Sequence, residues 1–163
     1  MERIEHTIEP VYRSDSRVLI LGTMPSPKSR EQGFYYGHPQ NRFFPALAGV
    51  FGEPVPQGVP ERKEFLLRHG IALWDVLRSC VISGASDASI REPVPNDIGL
   101  ILEAADIRKI FTTGTTAFRL YRAHCFPVTG VEAELLPSPS PANCRVPMDE
   151  LVRSYSVIRR FAL

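Results

Sequence analysis

The chain is expected to fold as an α/β protein, a three-layer α/β/α sandwich around a central, mostly parallel four-stranded sheet. Two observations predict this. Short apolar runs that read as strands alternate along the 163 residues with segments whose apolar side chains recur at helical spacing, and such alternation builds a parallel sheet with helices on both faces. Two of the runs end in a glycine, Gly22 and Gly114, and open into a loop or a helix, as strands of such sheets commonly do.

Val18 to Leu21 is β-branched and apolar and reads as a buried strand ending at Gly22. The following stretch, TMPSPKSREQGFYYGHPQNRFFP from Thr23 to Pro45, is so rich in proline, glycine and polar residues that little regular structure is expected at its start. A loop of this kind after a first strand commonly holds a site. Phe43, Phe44, Leu47, Ala48 and Phe51 have helical spacing, and Gly52 with Pro54 supplies a stop. Glu61 to His69 reads as a helix opening at Pro60 and ending at Gly70. Ile71 to Trp74 suggests a strand, whereas the rest of Ile71 to Ile82 fits neither period. Asp97 to Ala105 is read as a helix with Asp97 as its N-cap. A strand from Ile107 to Thr113, a helix from Thr115 to Cys125, a last strand from Glu134 to Leu136 and a helix from Met148 to Phe161 complete the order. No repeat or linker divides the chain, so one domain spanning residues 1–163 is expected.

Composition narrows the class. Hydrophobic residues at 44% and charged residues at 23% are ordinary for a globular protein. The longest apolar stretches fall far short of the roughly 20 residues that cross a bilayer, so no membrane association is expected. The charged start MERIEHTIEP lacks the apolar run of a secretory signal, and a cytoplasmic location is expected. Cys80, Cys125 and Cys144 form no CxxC pair and read as reduced thiols, with no metal and no cofactor implied. The net charge of +1 gives no global sign of a nucleic-acid partner, although Arg3, Arg13, Arg17, Arg30 and Arg42 gather in the first third.

Two loops sharpen the reading: GTMPSP at residues 22–27, continuing to GHPQNRFFP at 37–45, and LPSPSPAN at 136–143. Each follows an expected strand. Together they resemble the two active-site motifs of the uracil-DNA glycosylase superfamily, a G-x-x-P loop after the first strand and an H/N/M-P-S loop after the last. YYGHPQNRFFP looks like the HPxNxFW stretch of the mismatch-specific branch. With GIALWDVLRSC, SDASI and FTTGTTAF added, the pattern over residues 17–160 is similar to the hypoxanthine-DNA glycosylase branch, which removes the deaminated base of deoxyinosine. The resemblance implies a monomeric DNA glycosylase that flips a deaminated base out of DNA and leaves an abasic site. Two positions depart from the relatives. Met24 stands where the mismatch-specific branch has a catalytic Asn, and Leu136 where the main family has a His that stabilises the leaving oxyanion. In the hypoxanthine branch the work falls to the Asn of HPQN, here Asn41.

The chemistry asks for particular residue types. An extruded base needs aromatic or apolar walls, and the resemblance assigns these to Gly22, Thr23, Met24, Pro25, Phe34, Tyr35, Tyr36 and Phe43; packing under the loop is the alternative for the aromatics. Breaking the glycosidic bond places positive charge on the sugar and negative charge on the base, so a held water and donors near the base are required. Asn41 offers both, its carbonyl accepting from water and its amide donating to the base, although an Asn in such a loop also serves as a turn residue. His38 is the second catalytic candidate, as a donor to base or phosphate, with a structural role as its alternative. Asp87 and Glu31 are candidates for the acid that assists purine loss, and otherwise solvated charges. Ser26, Lys28, Pro137, Ser138, Pro139, Ser140, Asn143 and Arg145 are the expected DNA contacts, with Asn143, Cys144 and Arg145 near the gap left by the flipped base. No motif lysine besides Lys28 could form a Schiff base, so water is the expected nucleophile. Gly114 and Trp74 read as structural.

Two rivals remain at this level. One is a uracil or mismatch glycosylase. The other is a non-catalytic nucleic-acid-binding module on the same fold, since Met24 and Leu136 remove two catalytic groups of the relatives. A nucleotide hydrolase is disfavoured because neither a P-loop nor a GxSxG elbow occurs.

Overall fold

The computed structural model describes residues 2–163. In chain order the elements are β1 (Glu2–Glu5), β2 (Val18–Gly22), α1 (Pro27–Gln32), α2 (Phe43–Phe51), α3 (Gly58–Arg68), β3 (Ile71–Asp75), β4 (Leu77–Ser83), β5 (Ser86–Pro95), α4 (Gly99–Ala104), β6 (Lys109–Thr113), α5 (Thr115–Leu120), α6 (Phe126–Thr129), β7 (Ala133–Leu136) and α7 (Met148–Tyr155). The expected four-stranded sheet is present in the order β3-β2-β6-β7, with every neighbouring pair parallel. All five residues of β2 and of β3 are buried, which is why these strands read as continuous apolar runs. Each large side chain sunk here contributes about 1.5–3 kcal/mol over leaving it in water.

Crossovers between parallel strands of one sheet are right-handed as a rule, and with this strand order the rule sets the layers. The chain leaves β2 through α1, α2 and α3 to reach β3 on one side, whereas β3 to β6 and β6 to β7 run the opposite way through α4 and then α5 and α6. The first helix group therefore covers one face and the second group the other. The last helix, α7, returns to pack on α2, where Gly49 leaves room for Val152: a Cβ at Gly49 would lie 2.8 Å from a Val152 methyl.

Several local expectations are corrected. The loop after β2 begins with a helix, α1, because Ser26 caps it by accepting from Ser29 N, Pro27 takes the first turn, and Gly33 closes it at φ 73°. Asp97 is not a side-chain cap: Ile98 occupies the N-cap with no side-chain bond, and Asp97 contributes its carbonyl to Leu100 N. The helix read from Thr115 to Cys125 is α-helical only to Leu120 and then widens into a π turn. There Phe126 N reaches back five residues to Tyr121 O, just before Pro127, which has no N–H to continue the ladder. The closing helix tightens into a 3₁₀ turn over Ser156–Arg160.

A second, three-stranded antiparallel sheet, β1-β4-β5, was not legible in the sequence. β5 is largely exposed, with no clean alternation, and it pairs with β4 through repeated register shifts. No helix among the described residues is long and apolar enough to cross a membrane.

Candidate active site

All four parallel strands end at one cavity of about 1000 Å³, lined by Gly22, Asp75, Thr113 and Leu136, the last residues of β2, β3, β6 and β7. Its location follows from topology. Between β2 and β6 the crossovers diverge, and the loops leaving the carboxyl ends of these strands separate to leave a crevice. The hairpin tip from Gly84 to Asp87, between β4 and β5, forms an outer wall.

The first loop is pinned to α1. The Ser29 hydroxyl accepts from Gly37 N at 2.9 Å, Gln32 Nε2 donates to Gly37 O at 2.9 Å, and Gly33 N and Phe34 N both reach Ser29 O. Tyr36 takes a left-handed conformation, φ 53°, which costs a non-glycine residue energy and marks a constrained position. Its ring stacks on Phe43 at 4.0 Å, and its hydroxyl meets Thr113 Oγ1 at 2.9 Å. Desolvation first, and then the Asp75 charge, push the Tyr36 phenol well above its ordinary pKa, outweighing the Thr113 bond. It therefore remains an O–H.

The second loop is tied to the first by Arg42, read from sequence only as one basic residue among several. Its guanidinium donates to Val146 O at 2.6 Å and to Asn143 O at 3.0 Å, and its backbone N reaches Pro139 O. Tyr155 donates to Pro137 O at 2.7 Å. Gly114, at φ 95°, brings β6 so close that a Cβ would meet that of Ser138 at 3.3 Å.

Of the residues expected at the site, Gly22, Thr23, Met24, Pro25, Ser26, Tyr35, Tyr36, His38 and Asn41 line the cavity from the first loop, and Pro137, Ser138, Pro139, Ser140 and Asn143 from the second. Four do not. Phe34 and Phe43 are fully buried behind it, Phe34 stacked on Phe44 and Phe43 beneath Tyr36. Lys28 is exposed on α1 and pairs with Glu31 at 3.6 Å, and Glu31 does not line the cavity either. Arg145 is exposed outside the cavity. Tyr35 spends its hydroxyl on Glu9 O at 2.8 Å. Ser26 donates to Ser29 Oγ, and the Asn143 amide donates to Ser138 O.

Hydrogen bonding decides what the remaining groups offer. Asn41 Oδ1 accepts from Phe43 N at 2.9 Å, an Asx turn leading into α2. The turn role is present, and it divides the side chain at the cavity wall: the oxygen is held by the backbone and the amide is left to donate. His38 Nδ1 accepts from Gln40 N at 3.0 Å, which places the proton of the neutral ring on Nε2. Ser138 and Ser140 accept from Ser140 N and Ala142 N, so each keeps its hydroxyl hydrogen for another acceptor.

Asp75 was missed by sequence reasoning. It is 4% exposed, its Oδ2 meets His6 Nε2 at 2.8 Å, and no donor among the described residues meets Oδ1. Asp75 is the register partner of Gly22, and a Cβ on Gly22 would lie 2.5 Å from Oδ1, 3.3 Å from the Tyr36 hydroxyl and 3.7 Å from Thr113 Oγ1. The available signal was an acid ending the apolar run IALWD, at the strand end where such sheets bind ligands. Asp87 stands at the cavity wall, reachable by water, with its carboxyl pKa raised by desolvation first and then by the Asp75 charge; the Thr23 hydroxyl acts the other way. Among the described residues no group of three or more His, Cys, Asp or Glu side chains is placed to hold a metal ion.

This cavity, walled by a G-x-x-P loop after β2 and a proline-rich loop after β7, belongs to a known class. The profile of the uracil DNA glycosylase superfamily matches residues 9–152, and the chain belongs to that superfamily: it is a DNA glycosylase. Among its relatives is the hypoxanthine DNA glycosylase of Methanosarcina acetivorans. That protein is 33% identical over 147 residues, covering 87% of this chain and 90% of the relative. The hypoxanthine DNA glycosylase of Methanosarcina barkeri is 31% identical over 137 residues, 83% and 86% of the two chains. The fold also matches the solution NMR structure of a candidate uracil DNA glycosylase from Methanosarcina acetivorans, with TM-score 0.82 and 28% identity over 96% of this chain and 97% of that one.

Proposed function

We propose that the chain removes a deaminated base from DNA, hypoxanthine from deoxyinosine foremost, by drawing the nucleotide into the strand-end cavity and directing water to the sugar carbon. One observation carries this reading: the same cavity presents the Asn41 amide as a donor and Asp75 Oδ1 as a buried acceptor without a protein partner among the described residues. Deamination changes the edge of a base in the matching sense. Adenine has a ring-nitrogen acceptor beside an amino donor, and hypoxanthine has a ring N–H beside a carbonyl. A carboxylate accepts the new N–H and an amide donates to the new carbonyl. Adenine would set a lone pair against the carboxylate and an amino group against the amide, and unpaired polar groups of this kind reject a wrong ligand strongly. The names of the curated relatives support hypoxanthine over the other deaminated bases.

The remaining groups fall into roles around that pair. Tyr36 and Met24 wall the base, His38 Nε2 donates to the base or an adjacent phosphate, and the free hydroxyls of Ser138 and Ser140 take backbone phosphates. The product is an abasic site, with no lysine engaged. Single-turnover cleavage of end-labelled duplexes carrying deoxyinosine, xanthine, or uracil opposite G or A, followed by alkali, tests the reading. Alkali-dependent breaks at deoxyinosine are expected. Breaks at uracil alone would move the chain to a uracil specificity, and no break in any duplex at excess enzyme would reduce it to a binding module.

Asp87 is assigned as the acid that protonates the purine as its bond to the sugar weakens. A raised carboxyl pKa keeps a protonated fraction to higher pH than an ordinary aspartate retains. Because the protonated form is the active one, the rate should be highest below that pKa and fall as pH rises through it. The Asp87→Asn variant should lose this fall, its single-turnover rate becoming lower and flatter over the same range. An unchanged pH profile in the variant would remove Asp87 from the chemistry.

A further inference from the structure

His6 is buried in the floor of the site without lining the cavity. It lies immediately after β1, its backbone N bonded to Arg78 O at 2.7 Å. This antiparallel pairing with β4 carries the imidazole under the end of β3. There the ring lies 5.9 Å from that of Tyr35 and edge-on to Trp74 at 6.4 Å, and its side chain is 2% exposed against 6% for Asp75. The histidine that follows an edge strand of the second sheet thus meets the carboxylate that ends a central strand of the first. Burying a carboxylate without a partner is costly, and a hydrophobic residue pair would fill the same volume more cheaply.

We propose that His6 is the positioning residue for Asp75, holding one carboxylate oxygen so that the other faces the base and drawing charge from the carboxylate as the base departs. The inference rests on the reading in which Asp75 receives the N–H of the base. First, Oδ1, the Tyr36 hydroxyl and Thr113 Oγ1 all border the space beside Gly22, at 2.5, 3.3 and 3.7 Å from the point a Cβ there would occupy, so a carboxylate free to rotate would turn its acceptor away from the cavity. With Asp75 as a carboxylate, the Nε2–H of His6 fixes the rotation from behind, at 2.8 Å. Second, electron density flows into the base as the glycosidic bond breaks, and a bare carboxylate beneath it would oppose that flow. An imidazole donating to the far oxygen withdraws part of the opposing charge and so acts on the transition state more than on the bound substrate.

The test uses the full chain as His6→Leu, His6→Gln, Asp75→Asn and the His6→Leu/Asp75→Asn pair. For each, the single-turnover rate on a deoxyinosine duplex at saturating enzyme and the half-saturating enzyme concentration are measured. His6→Leu should lower the rate roughly 10- to 100-fold while leaving the half-saturating concentration within about twofold, because what it removes is orientation and transition-state charge compensation. His6→Gln keeps a donor within reach of Oδ2 and should recover most of that loss. The double variant should be no slower than Asp75→Asn alone, as expected for two residues that act as one unit. A merely structural His6 would instead lower the folded fraction, leave the rate per folded molecule unchanged, and give Gln no advantage; that result overturns the proposal. Should His6→Leu fail to fold, His6→Asn, whose shorter amide does not reach Oδ2, takes its place against His6→Gln, with equal rates for the two overturning the proposal. Failure of the underlying reading looks different: Asp75→Asn would then cleave deoxyinosine at the wild-type rate. Failure of the His6 inference alone shows as an impaired Asp75→Asn beside an unimpaired His6→Leu.

Discussion

Replacing Asn41 with alanine is expected to lower single-turnover cleavage of deoxyinosine DNA by about 10²- to 10³-fold, the usual consequence of removing one fixed donor from a site where charge develops. The same change deletes the acceptor that holds Phe43 N at the entrance to α2, which should cost about 1 kcal/mol of stability. A fall in rate could therefore be blamed on a loosened loop. Asn41→Asp separates the two effects. An aspartate still accepts from Phe43 N at the same length, so the turn survives and the melting temperature should stay near wild type. Its second oxygen cannot donate, so the rate should fall at least as far as in the alanine variant. An aspartate variant cleaving within about tenfold of wild type would mean that the oxygen, not the amide, does the chemistry, and the donor assignment would fail.

Gly22→Ala should be the other severe change, and for a reason unrelated to backbone freedom, since Gly22 is an ordinary strand residue. Its new Cβ would stand 2.5 Å from Asp75 Oδ1. The carboxylate cannot retreat easily, because His6 holds its other oxygen and the pair is almost fully buried. Overpacking of this sort costs about 1–3 kcal/mol, and moving a reacting partner by roughly an ångström lowers rate by about 10²-fold. Melting curves and single-turnover rates on the same preparations check both. Adding Asp75→Ala to Gly22→Ala should relieve the clash and restore stability relative to Gly22→Ala alone without restoring cleavage. Wild-type cleavage by Gly22→Ala would show that the carboxylate is not used where it stands.

Much of the frame is legible in the chain itself. β2, β6 and α2 announce themselves as a fully apolar run, a strand ended by glycine, and a helical spacing stopped by Gly52. β2 is wholly buried and β6 and α2 largely so, and side-chain polarity marks them. β1 and β5 are silent for the opposite reason: ERIE and SDASIREPVP are largely exposed, and only pairing with β4 makes them strands. Within the site, the two proline-rich loops and Asn41 stood out as motifs, whereas Phe34 and Phe43, drawn into the same motif by proximity in sequence, turn their rings into the core behind Tyr36. The aromatic cluster YY and FF could not reveal which rings face the cavity, because that depends on the left-handed turn at Tyr36.

Local patterns in the chain set the α/β class, the order of the parallel strands' principal elements, the two loops that wall the site and the glycosylase family they resemble. These are local properties, written in apolar periods and in residues within a few positions of one another. Which atoms face the cavity follows from long-range packing instead. Parallel pairing in register sets Asp75 against Gly22, far apart in the chain. A strand of a second sheet brings His6 to Asp75 across a separation of 69 residues, and a single backbone N–H chooses which end of Asn41 is free. Hydrogen bonds between distant segments leave no period in a sequence, since their geometry exists only once the sheet has assembled and its strand ends have met.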